Sequence, residues 1–194
     1  MKRTLLAGVV GGIIAFIWSA IVHMTPFTMT LGLSALNEKE EAVLSGLRAN
    51  DLAPGLYFFP GIDMTKRMTK EEEAAWTAKF KAGPSGLLLL QPKGGEPMEA
   101  RQLLVELIST LLCAIIAATI LSTTIGSISC RAIMVAMMGL FGWLAISVSQ
   151  WNWYHYPFDF IALDLIDQAI GWFLAGLAMA KLIKPAGISA ETKS

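Results

Sequence analysis

From Thr4 to Asn37 the chain carries no Asp, Glu, Lys or Arg. A bilayer core about 30 Å thick takes roughly 20 apolar residues of helix, so this uncharged stretch constrains the fold more than any motif. Its core, Leu5 to Met24, predicts a first membrane span. Pro26 ends it, because the residue before proline is pushed out of helical geometry. Lys2 and Arg3 would suit the n-region of a secretory signal, but the apolar run exceeds the usual h-region of about 7–15 residues. Trp18-Ser19-Ala20 also places an indole where cleavage needs a small side chain, so the segment reads as an uncleaved anchor.

Three further apolar stretches are long enough to span: Leu103 to Thr123, Ala132 to Gln150 and Phe160 to Ile183. The links between them, Thr124 to Arg131 and Trp151 to Asp159, are short and force antiparallel neighbours. The fold expected is an all-α integral membrane protein: a four-transmembrane-helix bundle with a small mixed α/β extracytoplasmic insertion between helices 1 and 2. The corresponding divisions are 1–25 (first span), 26–101 (insertion), 102–185 (three spans) and 186–194 (cytoplasmic tail). Composition agrees, with 55% hydrophobic and 15% charged residues against about 45–50% and about 25% in soluble domains. Fifteen basic residues balance fifteen acidic ones, which argues against a surface built to neutralise phosphates and against nucleic acid as a partner.

The short loops set the orientation through their Lys/Arg bias. An inner N-terminus places Lys2, Arg3, Arg131, Lys181, Lys184 and Lys193 on the cytoplasmic side. The Trp151 to Asp159 link then lies outside with no Lys or Arg. Both termini are expected in the cytoplasm and the protein in the cytoplasmic (inner) membrane. Trp151-Asn152-Trp153-Tyr154-His155-Tyr156 reads as an aromatic belt at the outer interface, with a ligand-stacking platform as its alternative.

Within the insertion, Asn37 with Glu40 suggests a capped helix running to Ala49, with Leu36, Val43, Leu44 and Leu47 as its apolar face. Leu56 to Phe59 reads as a short strand and Thr69 with Glu72 as the capping box of a second helix. Trp76 and Phe80 share one face of that helix. Leu87 to Leu90 is too short to span and reads as a strand paired with Leu56 to Phe59, or as a dip into the interface. Lys93-Gly94-Gly95 is expected to turn, and Pro97 to open the second membrane helix. A segment this small makes a marginal core, so its apolar faces are expected to rest on the bundle, lipid or a partner.

The fourth span is the unusual one. Asp164, Asp167 and Gln168 fall on one helical face that Gly171, Ala175 and Ala178 continue. A mid-membrane Asp costs about 2.5–3.5 kcal/mol on the insertion scale, so these carboxylates are expected to face sister helices. His23 closes the first span on a small-residue face of Ala7, Gly11, Ala15 and Ser19, with Gly8 and Gly12 adjoining. Glu106 lies near the start of the second span. His23, Glu106, His155, Asp159, Asp164 and Asp167 are therefore expected to converge at the outer third of the bundle.

Three readings fit this group. One is a hydrogen-bonded plug that fixes register, His23 pairing with Asp164. Another is a proton or cation site on a transport route through Asp164 or Asp167. The third is a metal or haem site using His23, His155 and Asp159, although no H-x-x-x-H or H-E-x-x-H spacing is present. No cofactor is predicted. Cys113 and Cys130 form no C-x-x-C, and Cys113 reads as packing with Ser109 and Ala117. The third span carries a stripe of Ala132, Ala136, Gly139, Gly142 and Ala145, with Met134, Met137 and Met138 as filler. No P-loop, Gly-x-Ser-x-Gly elbow or zinc-protease motif occurs, so nothing marks an enzyme. The small-residue faces favour an accessory or interaction subunit whose partners are the lipid bilayer and another membrane protein or a second copy.

Overall fold

Glycine and alanine determine which helix faces meet. In the computed structural model, which describes residues 1–63 and 65–185, helix α1 (Lys2–Met24) buries Ala7, Gly8, Gly11, Gly12 and Ala15. A Cβ added at Gly8 would lie 2.8 Å from the Ile115 Cα, and one at Gly12 2.8 Å from Leu111 Cδ2. Both neighbours belong to α4 (Ala100–Ser122). A Cβ at Gly11 would lie 2.7 Å from Met179 Cγ on α6 (Phe158–Leu182). Thus α1 is held between α4 and α6 at backbone-limited distance. On the far side of α6, Gly176 meets the Ala132 carbonyl of α5 (Ile128–Tyr154), and Gly139 of α5 meets the Gln168 carbonyl and the Trp172 ring.

The packing order is therefore α4–α1–α6–α5. Helices α4 and α5 follow each other in sequence yet barely touch. The expected bundle closes on three sides and leaves the fourth uncovered. All four helices are long and apolar enough to cross a membrane, and their outward faces expose Leu5, Ile17, Leu112, Phe141 and Ile166. The small-residue stripe of α5 is only partly used: Ala132 and Gly139 are buried, but Ala145 is exposed and Gly142 faces open space. On α6, Gly176, Met179 and Ala180 are buried where the sequence reading placed Ala178.

The helix ends depart from expectation for local reasons. Helix α5 continues through Tyr154, so the aromatic run Trp151 to Tyr154 is helical and the link to α6 is only 155–157. Nothing in that run breaks a helix until His155, which takes left-handed φ 57 and ψ 34 ahead of Pro157. Helix α4 starts at Ala100, because the Glu99 N–H donates to Gln102 Oε1 at 2.8 Å and needs no Pro97 at the first position. The link before α5 shortens to 123–127, with the Ser127 hydroxyl accepting the Cys130 N–H at 3.2 Å.

That shortening moves Arg131 from an expected cytoplasmic loop to the interior of α5, where it is 0% exposed. Its Nη1 donates to the carbonyls of Ala180 (3.2 Å) and Ile183 (2.8 Å), and its Nη2 to that of Leu121 (3.0 Å). These carbonyls belong to the ends of α6 and α4, which carry the negative end of the helix dipole; that of Leu121 also accepts from the Thr124 N–H and hydroxyl. One guanidinium thus fastens α5 to two other helix ends.

The chain divides into two compact units, Met1–Ser34 with Pro97 onward, and Ala35–Glu96. The tail expected at 186–194, Lys193 included, lies outside the described residues. The second unit holds α2 (Glu40–Ala49), β1 (Gly55–Phe59), α3 (Lys70–Ala82) and β2 (Gly86–Leu90). Strands β1 and β2 pair antiparallel from Gly55↔Leu90 to Phe59↔Gly86, so the expected pairing forms and α3 connects the strands. The Thr69–Glu72 capping box is complete at 2.8 and 3.2 Å. Trp76 packs on Phe80 with ring centroids 5.4 Å apart and donates to the Pro60 carbonyl at 2.9 Å.

Two local expectations are corrected in this unit. Asn37 does not cap α2. It adopts a left-handed φ of 51 in a short 3-10 turn, a conformation asparagine tolerates, and α2 begins at Glu40 with no side-chain cap. Lys93-Gly94-Gly95 forms no hydrogen-bonded turn; the chain merely bends at Lys93 on its way to α4.

Two outcomes are expected from thermal unfolding in detergent. Gly8→Val, which drives side-chain carbon into the Ile115 backbone, lowers stability by about 1–3 kcal/mol, while Gly46→Ala, with open space around it, does not. Arg131→Met takes the donor from the Ala180 and Ile183 carbonyls, while the Leu121 carbonyl keeps the Thr124 N–H and hydroxyl, and costs about 1–3 kcal/mol. Arg131→Lys recovers only part of this, because an ammonium lacks the planar fork.

Candidate functional site

The polar side chains of the helical unit sit one turn apart on facing helices. Ser19 and His23 occupy successive turns of α1, Asp164, Asp167 and Gln168 lie on α6, Glu106 is on α4 and Ser147 on α5. Asp167 is 6% exposed. Its Oδ2 accepts the Ser19 hydroxyl at 3.2 Å and lies 3.4 Å from His23 Nε2. His23 itself stays half open, its side chain 49% exposed. An acid this deeply buried needs donors, since a buried unpaired charge is costly.

Asp164 makes a different connection: Ser147 donates its hydroxyl to Asp164 Oδ2 across the α5–α6 contact. The sequence reading paired His23 with Asp164, and the structure corrects the partner to Asp167. The reason lies in the packing order. Helix α6 is sandwiched between α1 and α5, and residues three apart on it diverge enough in angle for one acid to serve each neighbour. Gln168 turns inward along α6, its Oε1 accepting from Trp172 Nε1 at 3.0 Å.

These groups surround open space. A cavity of about 520 Å³ is lined by Ser19, His23, Glu106, Asp164, Asp167 and Gln168, with Phe16, Met24, Met98 and Leu103 among its apolar walls. A second cavity of about 200 Å³ shares Ser19, Glu106, Asp167 and Gln168 and continues along α4 past Ser109, Thr110 and Cys113. A third of about 370 Å³ reaches His23, Asp164 and Gln168 from the α5 side. A fourth, about 340 Å³ and apolar, lies on the uncovered side between α4 and α5. All four share Gln168 as a lining residue.

Of the residues expected to converge, His23, Glu106, Asp164 and Asp167 do so around one cavity, with Gln168. His155 and Asp159 line none of these cavities. His155 is exposed at the C-terminus of α5, and Asp159 Oδ2 accepts the Gly32 N–H at 3.0 Å, fastening the segment after α1 to the start of α6. Among the described residues no group of three or more His, Cys, Asp or Glu side chains is placed to hold a metal ion, so the grouping of His23, His155 and Asp159 as ligands finds no geometric counterpart. Cys113, expected to be packed, is exposed on the cavity wall.

Ser147 and Trp172 were not foreseen as partners. A serine within an apolar span gives no signal of its own, and its acceptor is set by which helix packs opposite. Ser19 was legible as a small residue one turn from His23 but not as a donor.

The arrangement is chemically asymmetric. Asp167 Oδ2 accepts the Ser19 hydroxyl and lies at ion-pair distance from His23 Nε2, while the side chain lines two cavities. Three carboxyl groups face one imidazole across a space large enough for water.

Asp167→Leu removes the acceptor for both Ser19 and His23. Its unfolding midpoint in detergent is expected to fall well below that of Asp167→Asn, which keeps an oxygen for Ser19, the gap corresponding to about 1–3 kcal/mol. Equal midpoints would show that these bonds contribute nothing to the fold.

No protein family, curated protein or solved structure matches this chain.

Proposed function

We propose that this chain is a multi-pass protein of the cytoplasmic membrane, both termini cytoplasmic, that binds and passes a proton or small cation at the His23–Asp167 pair. The single observation carrying this reading is Asp167: 94% buried, bonded to Ser19 and His23, and lining the cavity that Glu106 and Asp164 also face. An ionisable group at membrane depth is costly, so one that is not fully neutralised points to a functional role. Here the partner imidazole is half exposed and the neighbouring acids add negative charge that a structural pair would not need. Asp167 is the central acceptor, His23 exchanges the proton with the cavity, and Glu106 and Asp164 hold the approaching cation. The Lys/Arg bias of the short loops supports the orientation.

A second reading is favoured by the Ala35–Glu96 unit. The cross-strand pair Leu56↔Leu89 leaves both side chains largely uncovered, at 65% and 83% exposed. That supports an accessory or interaction subunit whose insertion meets a membrane-protein partner or a second copy.

Reconstituted vesicles with an imposed pH gradient separate the two. On the proton reading, wild type dissipates the gradient faster than empty vesicles, and Asp167→Asn, folded and inserted, falls to the empty-vesicle rate. A wild type indistinguishable from empty vesicles would end the proton reading. Leu56→Lys with Leu89→Lys, expected to leave that flux intact, then tests the interaction reading through loss of crosslinked complexes.

A further inference from the structure

Helix α4 presents toward the uncovered side a face that changes character along its length. Glu106, Ser109, Thr110 and Cys113 line the polar cavity, and Cys113, Ile116, Ala117 and Ile120 line the apolar one. The spacings of three and four put them on a single stripe. Opposite the apolar half stand Met138 and Gly142 of α5, with Gln168 and Trp172 of α6 as the floor. The two cavities share Cys113, Gln168 and Trp172, so they form one trough, acidic at the Glu106 end and hydrocarbon-like at the Ile120 end. From Glu106 to Ile120 it runs about 21 Å at about 1.5 Å per residue, roughly two thirds of a bilayer core about 30 Å thick. The open space at Gly142, where an added Cβ meets no atom within 4 Å, keeps the trough wide.

We propose that this trough binds one amphiphile: a single long hydrocarbon chain ending in a protonated amine. The proposal names what the acid end of the site takes and rests on the proton-site reading only in placing Glu106 and Asp167 within the bilayer. Charge complementarity selects the head. Glu106 and Asp167 line the head of the trough; Asp167 is nine-tenths buried and held by Ser19 and His23, while Glu106 has no ion-pair partner among the described residues. An ammonium supplies up to three N–H donors and the opposite charge. A carboxylate or phosphate head would meet like charge, and a neutral alcohol would gain one ordinary hydrogen bond. The apolar half selects the tail, because Ile116, Ile120 and Met138 offer it only carbon and sulfur.

Cys113, exposed midway along the trough, supplies a readout that needs no mutation, and Cys130, exposed outside it, an internal control. The purified full-length protein in non-ionic detergent is alkylated with a maleimide, and the rate at each cysteine is read by mass spectrometry. Hexadecylamine is expected to slow labelling of Cys113 on the order of tenfold and leave Cys130 unchanged. Hexadecanol and palmitate at the same concentration are expected to leave both unchanged. Glu106→Gln with Asp167→Asn, and separately Gly142→Phe, which fills the trough, are expected to abolish the amine effect.

Equal protection by hexadecanol would overturn the proposal by showing that any chain fits and the acids select nothing. Absence of protection in wild type would overturn it outright. Labelling that slows with protein concentration alone would assign the trough to a second copy of the chain. Loss of vesicle flux in Asp167→Asn without amine protection in wild type would sink this inference and leave the proton site standing, and protection without flux would do the reverse.

Discussion

The structure depends on how closely α1 can approach its neighbours. Gly8 and Gly12 let the α4 backbone come within contact distance, and Gly11 accepts the Met179 side chain of α6. Between helices in lipid there is little hydrophobic force to draw on, so close packing and interhelical bonds must supply the attraction. A helix with larger side chains at these positions would hold α4 and α6 apart. Ser19 and His23 would then no longer reach Asp167, and the polar group would lose the contacts that make its burial tolerable.

Placing α1 in the middle has a second consequence. With α6 on its other side and α5 beyond, the chain order α4–α5 is not a packing order, and the inner stripe of α4 is left without a helix to cover it. The uncovered stripe of α4 thus follows from the close seating of α1 against α4 and α6. Arg131 keeps this opening from spreading. By holding carbonyls of both α4 and α6 it fixes one end of α5 to the other helices, while Trp143 donates to the Ile161 carbonyl at 2.9 Å further along. The polar cluster and the guanidinium thus sit at opposite ends of the same helices, one around open space and the other fully buried.

Much of the architecture could be read from the chain. Uncharged runs located the four long helices, and Gly/Ala spacing identified the buried face of α1. Short apolar runs bounded by Gly and Pro located the paired strands, and the Thr69–Glu72 spacing located a complete capping box. The boundaries were less legible where local chemistry competes. Helix α5 ran into the expected loop until the left-handed His155 stopped it, and Gln102 moved the start of α4 from Pro97. The candidate site was legible as a set of residues but not as a set of bonds: His23, Glu106, Asp164, Asp167 and Gln168 do share a cavity, yet His23 chose Asp167 and Asp164 chose Ser147.

The sequence by itself determined that four helices would form and that acids on α6 would need partners, because apolar length and the cost of a buried carboxylate are properties of single segments. Only the tertiary structure decided who those partners are, that Arg131 lies inside rather than on a loop, and that α4 keeps an uncovered stripe. Those outcomes depend on rotation and neighbour order among helices. Contacts between glycine-thin surfaces set both, and no single segment encodes them.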